Sequence, residues 1–408
     1  MEITLQARQR EPVDVLVAGG GIAGLCAAVA ARGAGARVLL VEEMGCLGGV
    51  ATAGGVGAFC GETRGQGEVF DRIVSDLERL DAIAPYKPYE EREARRFDHQ
   101  VLAYVLQEIA REAGVETLLF TQAAAALREG ETLAAVVLSN RSGLSVAPAG
   151  IVIDATGEAC VARAAGLPMQ PDDPGRLPMS VMFFMREVKD PDTLSRAEPD
   201  QELASDPPMI SVWPEAHGKI GAKVKVVGYD AADGDSLTQA EIAGRRVAMR
   251  VANHLRSGKY SAYKFDHFSQ RIGIREGRRV LGDYVLTEDD VRAGRRFEDG
   301  VALGRFYLDY HDPSTPHRVN RFDRNSGQVP PYHIPYRSLI ARGARNVLAA
   351  GRCFSADRVA LSSARVMTTC AMMGQAAGLA TSMARGGDVR SVSAPDLARA
   401  LTARGAQI

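Results

Sequence analysis

Residues 13–43, VDVLVAGGGIAGLCAAVAARGAGARVLLVEE, hold an apolar run, a glycine turn, an alanine-rich stretch and a second apolar run closed by acid. That order predicts a strand–helix–strand unit whose turn carries Gly19, Gly21 and Gly24 in GxGxxG spacing. Gly19 allows the tight turn, Gly21 lets backbone approach a pyrophosphate, and Gly24 lets the helix pack closely on the strand. The pyrophosphate faces a helix N-terminus, where unpaired N–H groups and the dipole favour negative charge. Glu42 closes the second strand 23 residues after Gly19, where a carboxylate accepts hydrogen bonds from an adenosine ribose and repels a 2′-phosphate. Glycines also serve ordinary turns; strand, helix, second strand and terminal acid occurring in order carry the dinucleotide reading.

The chain has 408 residues, 46% hydrophobic and 24% charged, which is ordinary globular composition and enough for two domains. A formal net charge of −1 gives no basic surplus for nucleic acid or an anionic membrane. The first residues, MEITLQARQREPV, lack the apolar core of a signal peptide, and no apolar run is long enough to span a bilayer. The expectation is a cytoplasmic protein without a membrane or nucleic-acid partner, its oligomeric state open. Six cysteines (Cys26, Cys46, Cys60, Cys160, Cys353, Cys370) show no CxxC spacing, so neither a metal site nor a disulfide framework is expected.

Downstream, a glycine-dense loop spans 45–67, and helical apolar spacing marks 68–80 and 98–113, the latter from an Asp98 cap. Residues 115–154 read as a small meander or three-stranded sheet, leading into IVIDATGEA (151–159), a buried strand ending in a turn. Proline and aspartate at 167–180 mark entry to a second region with alternating stretches at 181–188 and 223–230 and a helix over 238–258. Near 325–336 the N-terminal style returns. The expected fold class is α/β: a discontinuous Rossmann-like domain with an inserted β-meander (1–165 and 331–408) and an inserted α+β substrate domain (166–330).

At 19–31, 41–55, 152–162, 273–291, 307–313 and 334–378 the chain resembles the FAD-dependent oxidoreductase family of the two-dinucleotide-binding-domain flavoproteins, with a glutathione-reductase-like FAD fold. The resemblance implies bound FAD. It puts Gly19, Gly21, Ile22, Ala23 and Gly24 at the pyrophosphate, Glu42 and Glu43 at the adenosine ribose, and Gly48, Gly49, Ala51 and Thr52 near the diphosphate. Ala123, Ala155, Thr156 and Gly157 form further nucleotide contacts, Gly351 and Arg352 lie by the ribityl chain, and Val366, Met367 and Thr368 open a helix aimed at the flavin. Two departures stand out: Glu43 sits where relatives commonly carry a basic residue, and Asp357-Arg358 replaces a small residue and histidine expected near the flavin face.

Aligned on Leu47, Gly48 and Gly49, the redox cysteine pair of glutathione-reductase-like enzymes is replaced by Ala51 and Val56. No second nucleotide fingerprint is present, and the DG and GD pairs of aromatic hydroxylases are not found in their arrangement. What remains is a dehydrogenase or oxidase moving a hydride between a small organic substrate and flavin N5; the alternative is a non-redox or structural FAD, cyclase- or isomerase-like or related to RNA modification. Candidate catalytic residues are Arg275, which suits a substrate carboxylate or belongs to the charge cluster Glu276, Arg278 and Arg279; His311, the leading histidine of a group with Tyr310, His317 and His333; and Arg365 at the final helix. Cys46 or Cys60 is a candidate for a flavin linkage or simply packs the loop.

Overall fold

A computed structural model describes residues 4–88, 94–171, 175–188, 210–215, 218–317, 320–323 and 325–408. Strand β1 (Val13–Ala18) enters helix α1 (Ile22–Gly33) and returns as β2 (Val38–Val41). Helices α2 (Glu68–Arg79) and α3 (His99–Glu112) follow, the second capped by Asp98, whose carboxylate accepts from the Gln100 and Val101 amides. Then come β3 (Glu116–Leu118), β4 (Gln122–Glu129), β5 (Thr132–Asn140) and β6 (Gly143–Asp154).

The expected meander is not a separate sheet. β6 alternates in burial over its first half, where it pairs antiparallel with β5, and is continuously buried over Ile151–Asp154, where it pairs parallel with β1. A strand covered on one side alternates; one covered on both does not. One sheet therefore runs β3-β2-β1-β6-β5-β4.

A second, antiparallel sheet contains β7 (Met179–Glu187), β8 (Ile210–Pro214), β9 (Lys219–Val226) and β10 (Tyr263–Phe268), in the order β8-β9-β7-β10. Helix α4 (Gly234–Arg256) packs on one face, against Met179, Val181 and Phe183 of β7 and Ile220, Ala222 and Val224 of β9. It begins four residues before the sequence pattern suggested, because Asp233 caps it by accepting from the Ser236 amide. Period-two alternation turns Ser180, Met182 and Lys223 to the other face.

The C-terminal segment rejoins the first sheet as β11 (Val347–Ala349), parallel to β6, and continues into α5 (Arg358–Ala364) and α6 (Met367–Ala380). All of α6 is buried, and it meets α1 backbone to backbone: a Cβ at Gly374 would lie 2.1 Å from the Ala23 carbonyl oxygen, and one at Gly378 2.2 Å from that of Ala27. Among the described residues no helix is long and apolar enough to cross a membrane, and all six cysteines are free.

Candidate active site

Parallel register brings Ala18, Val41, Asp154 and Ala349 level at the ends of β1, β2, β6 and β11. Beyond those ends, where open α/β sheets bind their ligands, a cavity of about 490 Å³ runs to the inner face of the second sheet.

Its first half is a backbone cradle. Gly19 has φ +97, and a Cβ there would sit 2.4 Å from the Ala155 carbonyl oxygen, so only glycine fits. Gly21 differs: its φ is −62 and a Cβ would meet no protein atom within 4 Å, yet it lines the cavity. Glu42 accepts from the Gly20 amide through Oε2 (2.7 Å) and from the Met44 amide through Oε1 (2.8 Å). Burial raises its pKa against those two bonds, and each oxygen keeps a lone pair for the cavity. Asp154, fully buried, fixes the ATG turn by accepting from Thr156 N and Oγ1 and from Ala162 N. Two ion pairs complete this half: Arg271–Glu43 (2.5 Å) and Arg352–Glu158 (2.8 Å). Helix α6 points its N-terminus here; Val366 and Met367 line the wall and no side chain caps it.

The second half is charged and closed by residues from three regions. Asp309 Oδ1 accepts from His311 Nε2 (3.1 Å) and Tyr307 Oη (3.2 Å), while Oδ2 accepts from Arg365 Nη2 (3.2 Å). Burial raises the Asp309 pKa, but the His311 hydrogen bond and the charges of Arg365 and Arg275 outweigh it and hold the carboxyl far below the ordinary range. Burial, then the Arg275 charge, brings the His311 pKa down to about 4 despite Asp309. The imidazole is thus neutral at ordinary pH. An ionised carboxylate only accepts, so Nε2 carries the proton and Nδ1 the lone pair. Nδ1 is buried without a hydrogen-bond partner. Arg275, which lines the cavity, donates through Nη1 to the Pro178 carbonyl (2.7 Å) and Ser180 Oγ (2.8 Å).

Among the residues singled out by sequence, Gly19, Gly21, Ile22, Ala23, Glu42, Glu43, Gly48, Gly49, Ala123, Ala155, Thr156, Gly157, Arg275, His311, Gly351, Arg352, Arg365, Val366 and Met367 line the cavity. Gly24, Ala51, Thr52 and Thr368 do not. A Cβ at Gly24 would lie 1.8 Å from the Gly19 carbonyl oxygen, so it closes helix on turn; Ala51 is buried; the Thr52 and Thr368 hydroxyls donate to the Leu47 and Cys60 carbonyls.

The expectation that Asp357 and Arg358 stand at the flavin face is corrected. Asp357 caps α5 by accepting from the Ala360 amide, Arg358 pairs with buried Glu276, and neither lines the cavity. Glu276 also binds Arg279, so the charge cluster splits: only Arg275 turns inward. His333 bonds to Phe297 backbone, and Cys46 contacts Thr52; Cys60 does reach the cavity. Sequence reasoning missed Asp309, Tyr307, Lys223, Arg271, Glu158 and Ser180. The signal for two of them was present: in 306–311 Tyr307, Asp309 and His311 alternate with buried Leu308 and Tyr310.

A family model described as FAD dependent oxidoreductase matches residues 14–401. No curated protein matches the chain by sequence. Among solved structures, the fold is similar to a geranylgeranyl bacteriochlorophyll reductase-like protein from Thermoplasma acidophilum, at 14% identity over 98% of this chain and 83% of that one, with TM-score 0.52. It is also similar to CabE, an aromatic hydroxylase from angucycline biosynthesis (15%, 96% and 68%, 0.51), and to the anhydrotetracycline hydroxylase OxyS from Streptomyces rimosus (15%, 97% and 66%, 0.50). At these identities the likeness is one of fold.

Proposed function

The chain belongs to the FAD-dependent oxidoreductase family, and from that premise we propose that it is a dehydrogenase or oxidase that oxidises a small organic molecule, with His311 as proton acceptor. Its residues fit FAD. Gly21 leaves open space where a pyrophosphate needs close backbone approach, Glu42 keeps acceptor capacity for a ribose, and Arg352 Nη1 is buried without a partner at the cavity. Bound FAD supplies a two-electron acceptor.

The chain's own residues supply the rest. His311 Nδ1 is the observation that carries the reading: a buried, neutral, unpartnered lone pair on a residue that lines the cavity beyond the cradle. Oxidising a C–H next to an O–H or N–H releases a proton from the heteroatom, and this nitrogen accepts it. Asp309 holds the ring in the tautomer that leaves the lone pair on Nδ1 and stabilises the imidazolium once formed. Arg365, fixed by Asp309 at the start of α6, adds positive charge beside the helix N-terminus, favouring negative charge in the cavity.

A His311→Gln variant of the holoenzyme tests this. It is expected to keep its FAD and to lose about 10²–10⁴-fold in the rate of anaerobic reduction by substrate. An unchanged rate removes His311 from the reaction.

A further inference from the structure

The charges at the far end of the cavity do not balance. Of the charged residues among the described lining, Arg271 and Arg352 each have a carboxylate of their own, Glu43 and Glu158, and Glu42 is held by two amides. Arg275 and Arg365 have one carboxylate near them, Asp309, which contacts Arg365 but lies beyond ion-pair distance of Arg275. Arg275 instead binds two neutral acceptors, the Pro178 carbonyl and Ser180 Oγ, both through Nη1.

We propose that the substrate is a carboxylate, its anionic group held by the free side of the Arg275 guanidinium and its oxidised carbon lying toward His311. This rests on the oxidoreductase reading above and names the substrate class for that site.

Three observations agree. A guanidinium without its own carboxylate, deep in the molecule, calls for a planar anion that can accept from two of its N–H groups. The local cations feel one another: the Arg275 charge pushes down the pKa of His311 and, after burial itself, that of buried Lys225, which falls to about 8, while Arg365 does the same to Arg275. An anion relieves all of these at once. Two orphan polar atoms, His311 Nδ1 and Asn320 Oδ1, belong to residues that form a two-residue bridge and line the cavity, an acceptor pair suited to a hydroxyl or amine beside the carboxylate. The reaction balances: the C–H leaves as hydride to FAD, the heteroatom's proton goes to His311, and the product is the oxo or imino acid.

The test uses oxidised holoenzyme without turnover, so it fails or succeeds independently of the redox reading. FAD-loaded protein is titrated with acetate, lactate and benzoate, and with acetamide, lactamide and benzamide as uncharged counterparts, following the flavin's visible spectrum and thermal melting. The acids are expected to bind saturably and about thirtyfold or more tighter than the amides. Arg275→Met is expected to abolish that preference, and Arg275→Lys, which keeps the charge but loses the fork, to weaken acid binding several-fold. If Arg275→Met fails to hold FAD, the lysine variant carries the comparison. Equal binding of acids and amides, no saturable response to any acid, or unchanged acid binding in the FAD-loaded variants overturns the proposal.

Discussion

Replacing Gly21 by valine separates cofactor from fold. Gly21 is the N-cap of α1 with extended backbone (φ −62, ψ 178) open to any residue, and its Cβ would touch no protein atom within 4 Å. The apoprotein therefore pays only the difference between glycine and a poor capping residue, about 1 kcal/mol, which lowers the melting temperature by about 1–3 °C in a chain of this size. The valine methyl groups, however, stand in the space a pyrophosphate must enter. Wild-type protein at a hundredfold excess of FAD over its Kd gains about 2.7 kcal/mol; the variant gains none. Gly24→Val is the contrasting case, because its Cβ lies 1.8 Å from the Gly19 carbonyl oxygen; the helix must move, at a cost of about 4 kcal/mol or more with or without FAD. Melting curves with and without FAD, together with FAD released on denaturation, read both. Stoichiometric FAD in Gly21→Val refutes the cradle.

Four further outcomes follow from the same geometry. With the His311 pKa near 4 in the substrate-free protein, the neutral, proton-accepting form persists above that value, so the second-order rate constant of anaerobic flavin reduction, which reports groups of the free enzyme, is expected to be flat with pH down to about 5 and to fall below it; a break near 6.5, the ordinary histidine value, contradicts the assignment. Asp309→Asn leaves Arg365 without its carboxylate and costs about 3 kcal/mol at neutral pH. Because the folded Asp309 pKa is depressed, that stabilisation is present above the ordinary carboxyl range and fades as pH falls below about 4, so denaturant curves of wild type and variant are expected to converge in acid. Gly378→Leu drives a side chain into the Ala27 carbonyl and is expected to cost about 3 kcal/mol or more in denaturant unfolding, by forcing α6 off α1. Cys46→Ala and Cys60→Ala are expected to release FAD on denaturation as wild type does; FAD that stays with wild-type protein but leaves one variant identifies a covalent link.

What the sequence made legible follows the range of the physics behind it. The glycine turn, Glu42 and the Asp98 cap are local: their partners lie within a few residues or on the adjoining strand, and their spacing carries the meaning. Lys223, Asp309 and Arg365 line one cavity only because an antiparallel sheet, an extended segment and the junction before α6 converge, and no local spacing encodes that. Alternation places more than the strands. Lys223 stands out of the apolar set on β9, and Asp309 shares a side with His311, whereas Tyr310, grouped with His311 by residue type, points into the core. Asp357 and Arg358 show the reverse error: adjacency to AGRCFSA suggested the flavin face, but a helix cap and buried Glu276 claim both side chains.

The central claim, a redox flavin that takes its electrons from a small carboxylate, is tested most directly by anaerobic mixing of holoenzyme with a panel of 2-hydroxy and 2-amino acids while the flavin's visible absorption is followed. At least one member is expected to bleach the flavin and to yield the matching oxo acid in equal amount. A flavin that stays oxidised with every member, though dithionite bleaches it, contradicts the account.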